Sequence, residues 1–338
     1  MFQKNKLCYM AILFIFFLLA ACKSADEVNT TEKDEEQTEE HSNVENEREA
    51  VEVNIEEPET SVARDDQGDF DINWEITVEE LEDKYIIHGE SNLLPETRVR
   101  IYLKSPDYTI VGYYKNLTVE EDGTFSGELN HLQKYDTEIN LGFDVRPQMQ
   151  QEEILYHYGE RFEHATGPFV AVRDSDGDEV EYYVTTTLTH YPKKGEYTEL
   201  VSEVPEWDFP SDQGDLEVRI EIDEIEKDES RFYITGKTNL LDGSVLAVDV
   251  NLPEYIYSFG YNAHKYVNPD GSFSISVKYP QDKEEDKMDL VFKFTPSQYG
   301  QSDYIQNHYG PKGENLQGDI AEEQSGGMKN IELRVNVQ

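Results

Sequence analysis

The chain has 338 residues, 72 acidic against 29 basic side chains, a formal net charge of -43 and two cysteines. It is long enough for about two domains. Its charge excludes nucleic-acid binding through counterion release and direct attraction to anionic lipid headgroups, two cysteines exclude a disulfide-dense scaffold, and 12% aromatics exclude disorder throughout.

The first residues have the pattern of an export signal: Lys4 and Lys6 give a positive start, and Leu7 to Leu19 is an uncharged, mostly apolar stretch of 13 residues. A membrane-spanning helix needs about 20. Leu19-Ala20-Ala21-Cys22 then resembles the lipobox of bacterial lipoproteins. That resemblance implies a signal peptide over 1–21, cleavage before Cys22, and diacylglycerol and acyl chains such as palmitate on Cys22, which anchor the protein on the extracytoplasmic side of the bacterial cell membrane. Burying acyl chains gains about 0.8 kcal/mol per CH₂, so two or three chains make the attachment lasting. Cys8 leaves with the signal and Cys22 becomes a thioether, so cysteine catalysis, thiolate metal binding and disulfides are not expected. The competing reading is an ordinary signal, or an uncleaved anchor, that ends in Cys.

Residues 22–65 read as the lipidated Cys and a disordered acidic linker. From Lys23 to Asp69 there is no aromatic residue, and 18 acidic side chains face 4 basic ones, so too little apolar surface is available to offset the entropy of ordering. A flexible chain of this length spans about 35–40 Å, which would hold the folded part away from the membrane.

Beyond the linker the sequence repeats itself. Asp66-Gln67-Gly68-Asp69 recurs as Asp212-Gln213-Gly214-Asp215, Gly89-Glu90-Ser91-Asn92-Leu93 as Gly236-Lys237-Thr238-Asn239-Leu240, Asp122-Gly123-Thr124-Phe125-Ser126 as Asp270-Gly271-Ser272-Phe273-Ser274, and His157-Tyr158-Gly159 as His308-Tyr309-Gly310. The same order at nearly constant offset marks a tandem duplication, with modules over 66–191 and 212–338 and a connector, 192–211, that holds three prolines. Within each module, Val99 to Leu103, Ile139 to Val145, Val245 to Val250 and Leu290 to Phe294 have the β-branched, alternating character of strands. Asp122-Gly123 and Asp270-Gly271 read as hairpin turns. Pro147 to Tyr158 and Pro296 to Tyr309 have a spacing compatible with a short helix, and Tyr182 to Leu188 and Ile331 to Val337 read as closing strands. The expected fold is all-β: two tandem antiparallel β-sandwich modules of seven or eight strands, each with a short helical segment. The Gly-x-Ser/Thr-Asn-Leu and Asp-Gly-Thr/Ser-Phe-Ser motifs resemble those of bacterial immunoglobulin-like domains, which implies adhesion, spacing or ligand display and no shared catalytic residues.

Candidate chemistry is sparse. No G-x-S-x-G, H-E-x-x-H, S-x-x-K or G-x-x-x-x-G-K is present. Asp174, Asp176 and Asp178 alternate around Gly177 like the oxygen ligands of a weakly held Ca²⁺, yet the second copy keeps the glycine and loses the acids, which favours a hairpin turn. His157, Tyr158, His308 and Tyr309 survive the divergence of the copies. They read either as a packing element, with the tyrosine on the sandwich and the glycine in a left-handed turn, or as a recognition surface. The expected function is a non-catalytic binding or interaction module of the cell envelope, with the lipid on Cys22 as its only cofactor and an envelope protein or cell-wall component as partner. A carboxylate-dependent polysaccharide hydrolase and a structural spacer are the alternatives. With so acidic a chain, the surface facing a partner is expected to suit neutral, basic or cation-bridged ligands.

Overall fold

The computed structural model describes residues 63–177, 179–252, 260–283 and 287–337. The expected signal peptide, Cys22 and all but the last three residues of the expected linker lie outside the described residues, as does Asp178. No helix among the described residues is long and apolar enough to cross a membrane.

Residues of the first repeat form β1 (Trp74–Glu80), β2 (Lys84–Ser91), β3 (Arg98–Lys104), β4 (Tyr114–Thr118), β5 (Thr124–Asn130), β6 (Ile139–Val145), α1 (Glu152–Tyr158), β7 (Val170–Asp176) and β8 (Glu179–His190). The connector contributes β9 (Glu199–Val201). The second repeat forms β10 (Ile220–Lys227), β11 (Arg231–Thr238), β12 (Val245–Asn251), β13 (Asn262–Tyr266), β14 (Ser272–Lys278), β15 (Met288–Phe294), α2 (Asp303–Tyr309), β16 (Ala321–Gln324) and β17 (Met328–Val337). In the first repeat a sheet of order β5-β2-β1-β9 faces one of order β4-β3-β6-β8-β7; the second has β10-β11-β14 and β13-β12-β15-β17-β16. All pairings of these strands are antiparallel. The chain is thus an all-β protein of two tandem sandwiches, each with one short helix.

The two-residue period of a strand places the core. In β1, Trp74, Ile76 and Val78 are buried while Glu75 and Glu79 are exposed. Each repeat encloses its own cluster, with Trp74, Tyr85, Phe125 and Phe143 in the first and Phe232, Phe273, Phe292 and Phe294 in the second. A fully buried side chain of this size contributes about 1.5–3 kcal/mol, so each sandwich has a core of its own to hold it. The repeated glycine and phenylalanine motifs meet inside it. Gly89 stands directly opposite Phe125 and Gly236 opposite Phe273 across the sheet, and a Cβ on Gly89 would lie 2.1 Å from the Phe125 ring. The ring lies over the bare backbone, which is why the two motifs recur together.

One expectation changes. Asp122-Gly123 and Asp270-Gly271 do form tight turns, closed by Gly123 N–H to Glu120 O at 3.0 Å and Gly271 N–H to Asn268 O at 2.8 Å, but they are not hairpins. The strands they join, β4 with β5 and β13 with β14, belong to different sheets. Inward side chains such as Leu117 and Phe125 need opposite sheets to share one core, so the chain crosses over instead of folding back on itself. The connector adds a strand to the first module: β9 pairs with the edge of β1, and the Ser202 hydroxyl accepts the Ile76 N–H at 2.9 Å.

Candidate functional site

The recurring polar residues form an internal clasp in each module. His157 Nε2–H donates to the Gly68 carbonyl at 2.6 Å, and His308 Nε2–H to that of Gly214 at 2.6 Å. Gly68 and Gly214 N–H donate to the Asn92 and Asn239 carbonyls, both at 2.7 Å. The Asn92 side chain takes the Asn73 N–H at 2.9 Å and gives a hydrogen bond to Asp71 O at 2.8 Å; Asn239 does the same with Arg219 and Glu217 at 2.9 and 3.0 Å. Tyr158 and Tyr309 are 0% exposed, and their hydroxyls accept the Leu94 and Leu241 N–H at 3.2 and 3.1 Å. Burial raises the Tyr158 phenol to about 12. The tyrosines therefore belong to the core and not to a recognition surface, and the half-buried histidines are occupied by the same clasp. Gly159 and Gly310 follow with φ of 94° and 85° and ψ of 152° and 135°, an extended positive-φ conformation rather than a left-handed turn, and one that only glycine adopts without strain.

The acidic segment closes the β7–β8 hairpin, with Asp176 opposite Glu179 and Asp174 opposite Glu181. The Asp174 carboxylate accepts the Ser175 N–H at 2.8 Å, while the Ser175 hydroxyl faces the second module and accepts the Tyr304 N–H at 2.9 Å. The described residues contain no group of three carboxylate, histidine or cysteine side chains arranged to hold a metal.

A buried polar cluster went unrecognised in the sequence. Strand period turns Glu80 inward, where it is 3% exposed beside His131 and His190. His131 Nδ1 accepts the Gln133 N–H at 2.9 Å, so its proton sits on Nε2, 3.1 Å from Glu80 Oε1. His190 Nδ1 lies 3.6 Å from Glu80 Oε2, and its Nε2 meets the Tyr85 hydroxyl at 3.2 Å. Burial, helped by the neighbouring His131, pushes the His190 pKa down to about 4, so near neutrality this ring is uncharged and accepts from Tyr85. By register the second module has Lys227, Phe232, Tyr279 and Val337 in these places. That divergence was the available signal.

A cleft of about 720 Å³ lies between the modules, and a second pocket of about 900 Å³, lined by β8, β9 and the start of the following segment, lies on the first module beside it. The first wall of the cleft between the modules is the outer face of the β3-β6-β8 sheet, where register aligns Tyr102 with Gly142 and Thr187, and Lys104 with Asn140 and Thr189. Tyr102 lies against the Gly142 backbone, and a Cβ there would come within 2.3 Å of the ring. Lys104 Nζ sits 4.9 Å from the Tyr102 ring centroid. β13 supplies the opposite wall with Lys265 and Tyr266, and Trp207 of the connector closes a side, its Nε1–H donating to Pro168 O at 2.7 Å. Arg173 lies over Tyr266 at 5.1 Å. Among the described residues Glu138 is the one carboxylate of the lining, and it accepts from Asn140, Tyr191 and Ser276 at 2.8, 3.1 and 3.1 Å. Lys104 and Lys265 are exposed to the cleft, and the protein around them lowers both pKa values; Arg146 adds to this at Lys104 while Asp144 opposes it, and Glu138 opposes it at Lys265.

The modules are joined beside this cleft by polar contacts. Arg231, at the start of β11 and with 5% of its side chain exposed, pairs with Asp107 of the first module, which also pairs with Lys278. Burial alone would raise the Asp107 carboxyl, but hydrogen bonds from Lys278, Thr137 and Arg231 hold it at about 2. A second group joins Val172 N–H to the Asp242 carboxylate at 2.7 Å, with Arg173 3.4 Å away. The cleft chemistry is not duplicated. The row Tyr102, Gly142, Thr187 corresponds to Asp249, Val291, Arg334 in the second module.

No family model matches the chain, and no curated protein matches it. Among solved structures, a tetra-tandem repeat in the extending region of a large adhesion protein is similar at 11% identity and a TM-score of 0.23, over 66% of this chain and 46% of that one. A likeness that distant carries no argument about function. The chain corresponds to less than half of the adhesion-protein chain it matches.

Proposed function

We propose that the protein is an extracytoplasmic lipoprotein, anchored through Cys22 to a bacterial cell membrane, whose paired sandwiches act as a non-catalytic binding module of the cell envelope. The lipobox supports the location. One observation carries the binding role: the repeated polar residues are engaged in internal clasps, while a cleft lined by aromatic rings, threonine hydroxyls and unpaired ammonium groups stands open between the modules. Rings and hydroxyls of this kind hold a ligand by stacking and hydrogen bonding. The hydrolase alternative requires two carboxylates about 5–9.5 Å apart in one cleft, whereas the described residues bring one carboxylate, Glu138, to the lining of this one, where three donors occupy it.

The test uses intact cells. A photocrosslinking residue at Thr187 is expected to capture an envelope component, and the same residue at exposed Glu226 on β10 is not; Cys22→Ala is expected to release the protein from the membrane fraction. Equal capture at both positions, capture at neither, or undiminished membrane association of Cys22→Ala would overturn the corresponding part of the reading.

A further inference from the structure

In a chain with 72 acidic side chains and 29 basic ones, several lysines pair with a carboxylate. Lys84 pairs with Glu128, Lys293 with Asp249 and Lys278 with Asp107. Lys104 and Lys265 do not: neither has an ion pair among the described residues, and the carboxylate beside Lys265, Glu138, is already held by Tyr191 and Ser276. Two ammonium groups outside any ion pair thus line one cleft, Lys104 beside the Tyr102 ring, together with Arg173, which pairs with Asp242 and whose guanidinium covers Tyr266. Lys104 and Lys265 are both exposed to the cleft, so their ammonium groups can donate charge-assisted hydrogen bonds to an anionic ligand.

The rest of the lining selects what carries the anion. Trp207 is fixed through its indole N–H, a rigid ring of the kind that stacks on the C–H face of a sugar, while Tyr102, lying against Gly142, holds the Lys104 ammonium and the Arg100 guanidinium at its ring. Thr185, Thr187 and Thr189 line the cleft from one face of β8, about 6.8 Å apart at two residues per step, a row of hydroxyls that can donate to or accept from ligand hydroxyls. The cleft volume falls within the roughly 300–1,000 Å³ of small-ligand sites.

We propose that the cleft between the modules binds an anionic glycan segment, a short run of sugar or polyol units carrying carboxylate or phosphate groups. The proposal rests on the reading of the protein as a binding module and names what it holds. A densely charged polymer such as a nucleic acid would be repelled by the net charge of -43. A sparsely charged glycan escapes most of that repulsion, because salt screens charges beyond about 8 Å at physiological ionic strength, leaving the local lysines to decide. A neutral sugar would leave those lysines unpaired.

Calorimetric titration of the full chain in detergent micelles tests this with three probes: an oligogalacturonate, a glycerol-phosphate oligomer, and neutral maltohexaose. At least one acidic probe is expected to bind at least about ten-fold more tightly than maltohexaose, and which acid binds identifies carboxylate or phosphate as the recognised group. Charge-assisted hydrogen bonds predict that Lys104→Gln and Lys265→Gln each weaken that binding by roughly ten- to a hundred-fold, with unchanged melting temperature. Binding should also alter tryptophan emission, and Trp207→Phe should remove the change, since Trp74 is 2% exposed in the core. Failure of both acids to bind, equal binding of maltohexaose, or unaltered affinity in both lysine variants overturns the proposal. If crosslinking from Thr187 captures a protein while the acids fail, the binding role stands and the glycan does not.

Discussion

His190 shows how one residue ties burial to pH. Its folded pKa of about 4 lies below the ordinary value of 6.5, so below pH 6.5 the unfolded chain takes up a proton that the folded one refuses. The stabilisation from keeping this ring neutral is complete above pH 6.5 and is lost as the pH falls toward 4. The linkage relation gives a loss of about 2 kcal/mol between pH 7 and 5, expected as a fall in the urea midpoint that His190→Gln largely abolishes. A variant whose pH dependence matches the parent would show that another group is responsible. His131 and Glu80 share the site, but the sequence offered no reason to connect residues 80, 131 and 190, which lie on β1, just past β5 and at the end of β8. Only sheet pairing brings them together.

Among the elements, the repeated motifs were legible as motifs and their partners were not. Gly89 and Phe125 belong to separate motifs 36 positions apart, and antiparallel register sets them face to face. Gly89→Ala is therefore expected to force the Phe125 ring from its place and to cost about 1–3 kcal/mol by overpacking, read as a lower denaturation midpoint. In the double variant Gly89→Ala/Phe125→Ala the two effects should be markedly less than additive, because the second change removes the ring that the methyl group strikes; additive effects would mean that the contact is not the cause. Strand periodicity located the core strands and the closing strands, since alternation is written into the chain. It missed β9, whose three residues carry too short a pattern to register, and it made hairpins of two turns that cross between sheets. A turn motif specifies local backbone geometry, whereas which sheet receives each flanking strand depends on where distant partners lie.

For the whole molecule, Asp107 couples the modules. Its carboxylate meets Arg231 and Lys278 across the junction, and because its pKa is held near 2 against an ordinary 3.8, the stabilisation is complete above about pH 4 and fades only as the pH falls toward 2. Asp107→Asn leaves the Arg231 charge buried without its carboxylate, a loss of about 3 kcal/mol. Calorimetry should then resolve two unfolding transitions, one per core, whereas an unchanged profile would place the coupling elsewhere. The amino-acid sequence by itself determined the duplication, the all-β character and the net charge, because repeats, alternation and composition are properties of the chain read in order. From that charge a neutral, basic or cation-bridged partner was expected. The tertiary structure decided the cleft and its local cationic lining, because a net charge is a sum without position: Lys104 and Lys265 come from different modules, and sheet register and the docking of one sandwich on the other alone put them in the same space.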